Sequence, residues 1–333
     1  MELPAYRPPS EAYSLLVRAT RNCPWNKCAF CAMYRGKQFS LRTVEEVKED
    51  IITARQLWER VKKVSLSLGL EGRVNHLVRS RVIQESGTDI ASFPWLYREN
   101  LTAFIADSNS LAMPAKDLAE VVRFLRATFP EVIRVTSYAR AKTLLRRTPE
   151  ELKTLRETGL DRLHVGLETG DDQLLALIRK GATASEMAAA GRKAKEAGFE
   201  FSMYVILGLG GKQLWQQHAI GTAEVLNAVD PHFIRLRTLM IQPGTLLEEL
   251  QAKGEFHPST PVEIFQEEKL LLERLEVTSH FVSDHISNYL ALDGKLPDDK
   301  EALLSNLNAV LEQLILYPQA ATNLLQPEHL RTL

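Results

Sequence analysis

Cysteine is scarce in this chain: there are three in 333 residues, all between positions 23 and 31. Outside that segment nothing can supply a thiolate, so a second metal cluster held entirely by cysteine is excluded. No apolar run approaches the roughly 18 residues of a membrane span. The opening segment MELPAYRPPSEAY lacks a basic stretch followed by an apolar core, so no secretory leader is expected. Excess charge is missing too. With 41 Lys+Arg against 42 Asp+Glu the net charge is −1, which offers no general attraction to nucleic acid or to an anionic membrane. Apolar and charged contents of 45% and 25% are those of an ordinary soluble globular protein. A reducing cytoplasm suits unpaired thiolates, and a cytoplasmic location is expected.

What the chain does have is Cys23-Pro-Trp-Asn-Lys-Cys28-Ala-Phe-Cys31. The Cys28–Cys31 pair alone matches a redox dithiol, but that leaves Cys23 without a role. A structural zinc site needs four closed ligands, and the nearest histidine, His76, lies 45 residues beyond Cys31. Thiolate ligation of an iron–sulfur cluster uses all three cysteines. Three thiolates hold three corners of a cubane and leave the fourth iron open to a small molecule.

From residue 13 short β-rich runs alternate with amphipathic helices, the pattern of an α/β protein with parallel strands. Strands are expected at 13–19, 101–106, 132–136, 163–167, 201–207 and 233–239, with a further one at 61–68. Thr43 with Glu46, Thr148 with Glu151 and Thr183 with Glu186 read as capping boxes. Pro114 opens a helix whose apolar face is Leu118, Val121, Val122 and Leu125, and Gly159 and Gly198 end two others. Six strand–helix units are too few for a closed eight-stranded barrel. They predict an α/β fold built as an open, partial (β/α)6 barrel over 13–246, with an N-terminal tail at 1–12 and an inserted excursion at about 61–100. Beyond Gly244 the strands are expected to stop, and 247–333 reads as a C-terminal helical extension with runs near 261–280 and 299–316.

A three-cysteine loop directly after the first strand of a parallel β/α array resembles the radical S-adenosylmethionine (SAM) superfamily. Phe30 before the last cysteine fits that pattern, as do Ala106-Asp-Ser-Asn-Ser110, His164-Val-Gly-Leu-Glu-Thr-Gly170, Gly208-Leu-Gly-Gly211 and Gln242-Pro-Gly-Thr-Leu246. These segments look like the branch that contains oxygen-independent coproporphyrinogen oxidases, methylthiotransferases and Elp3-type acetyltransferases. The departure is the spacing. The usual CX3CX2C is here CX4CX2C, an extra residue that can tilt the cluster and change which SAM bond lies in line for cleavage.

The resemblance implies a [4Fe-4S] cluster on Cys23, Cys28 and Cys31, with S-adenosyl-L-methionine chelated at the open iron and Phe30 alongside. It also implies an electron donor such as flavodoxin or ferredoxin, and a small-molecule substrate attacked by a 5′-deoxyadenosyl radical. Asp107, Ser108 and Asn109 stand where the family has a glycine-rich segment for the SAM amino group, or form a hydrogen-bonded turn. Glu168 matches the polar position near the SAM ribose or amino group, or is a strand-end cap. Lys180 matches a basic residue for the SAM carboxylate, or is a solvated lysine. Gly208, Gly210 and Gly211 fit a close backbone approach to the adenine.

Strand alternation carries a further reading. His164 with Glu168, Ser202 with Tyr204, and Arg235 with Arg237 each share a face, which points to a polar lumen. Two arginines on one face of an interior strand need partners, because isolated buried charge is costly. They bind a carboxylate, on SAM or on an anionic substrate, or they bond strand-end carbonyls or flank an edge. At 279–289 His285, Asn288 and Tyr289 fall on one helical face, either wet or reaching onto the barrel mouth. Candidate catalytic residues are therefore Tyr204, Arg237 and His285. The segment Trp215-Gln-Gln-His218 reads as helix surface.

The reaction stays open between three classes: a small-molecule enzyme, an RNA-modifying enzyme, and a non-catalytic cluster- or haem-binding relative. A basic patch around Arg73, Arg79 and Arg81 would favour RNA. With no cysteine elsewhere, routes through a protein thiyl or a methylated cysteine are excluded, and no region resembles a cobalamin-binding domain.

Overall fold

Strands rich in branched and aromatic residues alternate with capped amphipathic helices throughout, giving the expected α/β architecture with mostly parallel strands. The computed structural model describes residues 1–3, 6–319 and 324. The chain divides into two units.

The first unit comprises Met1–Pro24, Gln38–Ala139 and Arg147–Leu163. Its strands are β1 (Leu15–Arg18), β2 (Thr20–Arg21), β3 (Ser40–Leu41), β4 (Leu101–Ala106), β5 (Val132–Ala139) and the start of β6 (Arg162–Glu168). β1 and β4 are parallel, with Leu15 opposite Ala103 and Arg18 opposite Ala106, and β4 and β5 are parallel as well. The short antiparallel pair β2–β3 sets Thr20 against Leu41 and Arg21 against Ser40. The helices Val44–Ser67 and Pro149–Glu157 open on the capping boxes of Thr43 and Thr148. Of residues 61–68, expected as a strand, 61–67 instead complete the helix Val44–Ser67 and Leu68 caps it. Val61, Val64 and Ser65 are buried on the same helical stripe as Val47, Ile51 and Ala54, so the 3.6-residue period continues and outweighs the β-branched composition. The excursion that follows holds the helix His76–Ser86 and two short 3₁₀ turns.

The second unit comprises Trp25–Lys37, Arg140–Arg146 and His164–Leu333. In it β6 continues, followed in spatial order by β7 (Glu200–Leu207), β8 (Phe233–Thr238), β9 (His280–Val282) and β10 (Asp293–Lys295). β7 and β8 are parallel from Ser202 opposite Phe233 to Leu207 opposite Thr238, and Arg235 of β8 lies opposite Val282 of the parallel β9. Strands therefore do not stop at Gly244. His280–Val282 pairs with β8 and buries Phe281 and Val282, so β8 is an interior strand with both edges hydrogen-bonded. For the same reason 279–289 is not a helix: it is β9 followed by a turn. The helices Pro261–Arg274 and Lys300–Leu316 lie within the expected helical runs. Residues 4–5 of the expected tail, and 320–323 and 325–333 of the expected helical extension, lie outside the described residues. Among the described residues no helix is long and apolar enough to cross a membrane.

Candidate active site

The cysteine loop runs between β2 and β3, which pair with each other in the first unit; Cys23 belongs to that unit and residues 25–37 to the second. Just before Cys23, Asn22 takes φ +67, a left-handed conformation that asparagine tolerates. The buried carboxylate of Asp107, beyond the end of β4, accepts the Asn22 N–H at 2.9 Å and the Arg18 Nε–H at 2.8 Å on one oxygen. Ser108 donates its hydroxyl to the Asn22 carbonyl at 3.0 Å. Asp107 itself sits at φ +70, which turns the chain sharply at the strand end. Arg18 pairs onward with Glu2 at 2.8 Å, and Glu2 with Arg21 at 2.7 Å. The fold thus uses Asp107 and Ser108 to grip the residue before the first cysteine.

Loop residues 25–37 are fixed within the second unit by the main chain after β6. Ala29 N–H donates to the Ile178 carbonyl at 2.8 Å, and the Trp25 indole N–H to the Arg179 carbonyl at 2.8 Å. From the other side Leu247 N–H donates to the Ala29 carbonyl at 3.0 Å, and the Gln242 side-chain oxygen accepts Ala32 N–H at 3.2 Å. Ala29 belongs to a buried apolar cluster with Leu174, Ile178 and Leu209, against which Phe30 packs together with Ile206, Leu239 and Leu246. The spacer between Cys23 and Cys28 turns at Asn26, φ +48, whose side-chain amide donates to the Tyr34 carbonyl at 2.5 Å. Gly181, φ +78, is required under Trp25: a Cβ there would lie 2.4 Å from the indole.

Two expected SAM-contacting residues meet each other. Lys180 Nζ donates to Glu168 Oε1 at 2.5 Å, and the pair lies over Gly166, where a Cβ would stand 2.0 Å from that oxygen. The glycine run after β7 has an internal explanation in part. A Cβ on Gly211 would meet the His257 carbonyl at 2.6 Å, and one on Gly210 the backbone of Leu214 at 2.7 Å. Gly208, φ +78, donates its N–H to buried Glu267 at 2.8 Å.

Glu267 belongs to a network that sequence reading missed. His218 is buried, not on the helix surface: Nδ1 lies 2.8 Å from the Thr169 hydroxyl, Nε2 lies 3.0 Å from the Ile206 carbonyl, and Glu267 is 3.3 Å away. The neighbouring Glu268 is buried as well, and burial raises its pKa to about 7. The helix Pro261–Arg274 turns Glu267 and Glu268 inward beside Ile264, Phe265, Leu271 and Leu272, so two consecutive acids fall in an apolar stripe. That break in the amphipathic pattern was the available signal.

On β6, β7 and β8 one face carries the residues that alternation grouped together. His164 and Ser202 are buried, the His164 and Tyr204 rings stand edge to face at 5.4 Å, and the Arg237 guanidinium lies 5.2 Å from the Tyr204 ring centre. Arg235 stacks on Phe233 at 5.2 Å. Neither arginine bonds a strand-end carbonyl among the described residues, and β8 is not an edge. His285 lies in the turn after β9, whose Asn288 bonds Leu236 and Thr238 on either side of Arg237, and the charge of Arg237 acts on the ring. Burial first and that charge second lower its pKa to about 4, against the opposing charge of Asp284.

Residues 17–220 match the model of the radical SAM superfamily, a span that includes all three cysteines. The chain belongs to the radical SAM superfamily. Among curated proteins it is 30% identical over 143 residues to the heme chaperone HemW of Bacillus subtilis, covering 42% of this chain and 36% of that protein. It is 27% identical over 154 residues to an uncharacterised protein of Methanocaldococcus jannaschii, covering 46% and 47%. The matches thus span less than half the length of either relative. Among solved structures, Elp3 of Methanocaldococcus infernus is 14% identical with a TM-score of 0.48, covering 74% of this chain and 60% of that one. HemN of Escherichia coli is 14% identical with a TM-score of 0.48, covering 78% and 52%.

Radical SAM membership implies an iron–sulfur cluster and SAM, and the donor set suits the cluster. Cys23, Cys28 and Cys31 are partly exposed thiols on one loop, and none is in a disulfide. Among the described residues no three His, Cys, Asp or Glu side chains converge to hold a single metal ion. A cubane asks for a different layout, with one thiolate to each of three irons. Of the sequence candidates, the structure brings together Glu168 with Lys180, and Tyr204 with Arg237. It engages Asp107 and Ser108 with Asn22, and it buries Asn109.

Proposed function

We propose that this protein is a radical SAM enzyme that carries a [4Fe-4S] cluster on Cys23, Cys28 and Cys31, cleaves SAM reductively and starts radical chemistry on a small substrate. The observation that carries the reading is the family match over a three-thiol loop whose amides and carbonyls are already bonded on both sides. When bound, the cluster supplies the single electron that breaks a carbon–sulfur bond of SAM.

The chain's own residues do the rest. Ile178, Arg179, Gln242 and Leu247 hold the loop, and Phe30 with its apolar neighbours keeps water from one side of it. Glu168 and Lys180 are assigned to the polar end of SAM, the carboxylate toward its ribose or amino group and the ammonium toward its carboxylate. Gly208 is assigned to the adenine. Asp107 and Ser108 are assigned to the loop, because their side chains are bonded to Asn22. The electron comes from a small donor of the flavodoxin or ferredoxin kind.

A second reading, a non-catalytic cluster- or haem-binding relative, is favoured by the likeness to a heme chaperone. RNA modification finds no support in the expected basic patch of the excursion after the first helix, where Arg73 is paired with Glu71, Arg79 with Asp89 and Arg81 with Glu85.

Anaerobic reconstitution, reduction with dithionite and product analysis decide between these readings. 5′-Deoxyadenosine is the expected product. Methylthioadenosine would point to cleavage of the other bond and transfer of a 3-amino-3-carboxypropyl group. No SAM cleavage, with haem retained on the protein, would establish the second reading instead.

A further inference from the structure

Arg237 is a cation in an incomplete setting. β8 sets Phe233, Arg235 and Arg237 on one face and buries Ile234, Leu236 and Thr238 on the other. On the adjoining β7, Ile206 is opposite Arg237, and Tyr204, one pleat earlier, offers the guanidinium its ring at 5.2 Å. Among the described residues Arg237 has no hydrogen bond and no ion pair. The acid on the corresponding face of β6, Glu168, is taken by Lys180. A ring face offers the guanidinium no hydrogen-bond acceptor, whereas a carboxylate offers two oxygens that match its fork.

The turn after β9 is built onto β8 on either side of this residue. Asn288 donates to the Leu236 carbonyl at 3.1 Å and accepts the Thr238 hydroxyl at 3.0 Å, and the Ser287 hydroxyl oxygen accepts Thr238 N–H at 3.1 Å. Leu236 and Thr238 flank Arg237, so three side-chain bonds fix the turn that carries His285. Within that turn Ser287 N–H donates to His285 Nδ1 at 3.1 Å. A neutral ring whose Nδ1 accepts must carry its proton on Nε2, and the bond assigns that tautomer. Burial and the nearby guanidinium keep the ring neutral at pH 7, and the charge of Asp284 only partly offsets them. The site is thus furnished with a cationic fork and an N–H donor, and no acid among the described residues is bonded to the fork.

We propose that Arg237 and His285 form a carboxylate-binding site, with the Arg237 fork taking both oxygens, His285 Nε2–H adding a donor and the Tyr204 ring serving as the platform. The carboxylate belongs to the substrate, or to SAM, in which case Arg237 replaces Lys180 as the partner of the SAM carboxylate. As a substrate anchor the site rests on the radical reading above; as an anion site it does not.

The test uses anaerobically reconstituted wild type, R237L and R237K, each titrated calorimetrically with succinate as the carboxylate probe and separately with SAM. In wild type succinate saturates the protein and raises the His285 pKa followed by NMR, because an adjacent anion favours the imidazolium. R237L weakens one of the two ligands by about tenfold or more. R237K keeps the charge, loses the fork and falls between them; it carries the comparison if R237L does not fold. Loss of succinate with SAM affinity kept assigns the site to a carboxylated substrate, and loss of SAM affinity assigns it to the SAM carboxylate. Unchanged SAM affinity in both variants, with succinate binding either absent in wild type or equally unchanged in both variants, overturns the proposal. Failure to cleave SAM would overturn the radical reading and leave these binding results standing.

Discussion

Asp107 accepts the backbone N–H of Asn22 at 2.9 Å and so holds the residue that precedes Cys23. The same oxygen takes Arg18 Nε at 2.8 Å, and the carboxylate is buried. Removing it leaves Arg18 without this partner and the loop entry without its anchor. D107A is expected to cost about 3–5 kcal/mol of stability, as for one partner of a buried ion pair. It should also speed iron release from the reconstituted protein. S108A, which loses one neutral bond, should cost about 1 kcal/mol. Urea unfolding and iron release to a chelator measure both, and iron release at the wild-type rate in D107A would remove the anchoring role.

Gly181 combines φ +78 with contact against Trp25. In G181A the new methyl displaces the indole and strains the backbone, at a cost of about 1–3 kcal/mol. The Trp25 bond to the Arg179 carbonyl is lost, so amide exchange over 25–37 should rise while β7 and β8 stay protected. Hydrogen-exchange mass spectrometry resolves the two regions.

Glu268 binds its proton up to about pH 7 in the native state, because burial disfavours the carboxylate and Glu267 adds repulsion, while a hydrogen bond from Ser283 opposes them. In the unfolded chain it ionises from about 4.5. Its contribution to stability is present below 4.5 and is lost as the pH rises towards 7, on the order of 3 kcal/mol. E268Q cannot ionise. Unfolding followed from pH 4.5 to 8 should show the variant gaining on wild type across that window and holding level above it.

His285 runs in the opposite sense. Its pKa is about 4 in the native state against an ordinary histidine value of 6.5, so the stability it contributes is present above 6.5 and is lost as the pH falls towards 4. R237L removes the second-ranked cause and should raise this pKa part of the way towards 6.5, because burial, the first, remains. Imidazole NMR titration gives both values.

The parts of the fold that were legible in the sequence are those written in short-range patterns. The capping boxes at Thr43, Thr148 and Thr183 are local chemistry over three residues, and each opens a helix as expected. The six strands with strong β composition are present too. Where a pattern was ambiguous, packing decided. Val61–Ser65 continued a helical stripe despite its valines, and His280–Val282 became a strand because β8 offered an open edge. His218 and Glu268 escaped notice because polar residues at helical spacing read as solvated until the opposite wall is known.

By itself the sequence determined the thiol inventory, the order of strand–helix units and the faces that His164 shares with Glu168, Ser202 with Tyr204 and Arg235 with Arg237, because residue identity and the alternation of a strand are properties of the chain. Tertiary structure alone decided what holds the cysteine loop. Asn22 is gripped from 85 residues away, Trp25 from 154 and Ala32 from 210, by a carboxylate, a carbonyl and an amide that occur at no fixed period. Such partners become visible only when the strands have set their ends side by side, since a hydrogen bond depends on distance and angle and leaves no spacing in the sequence.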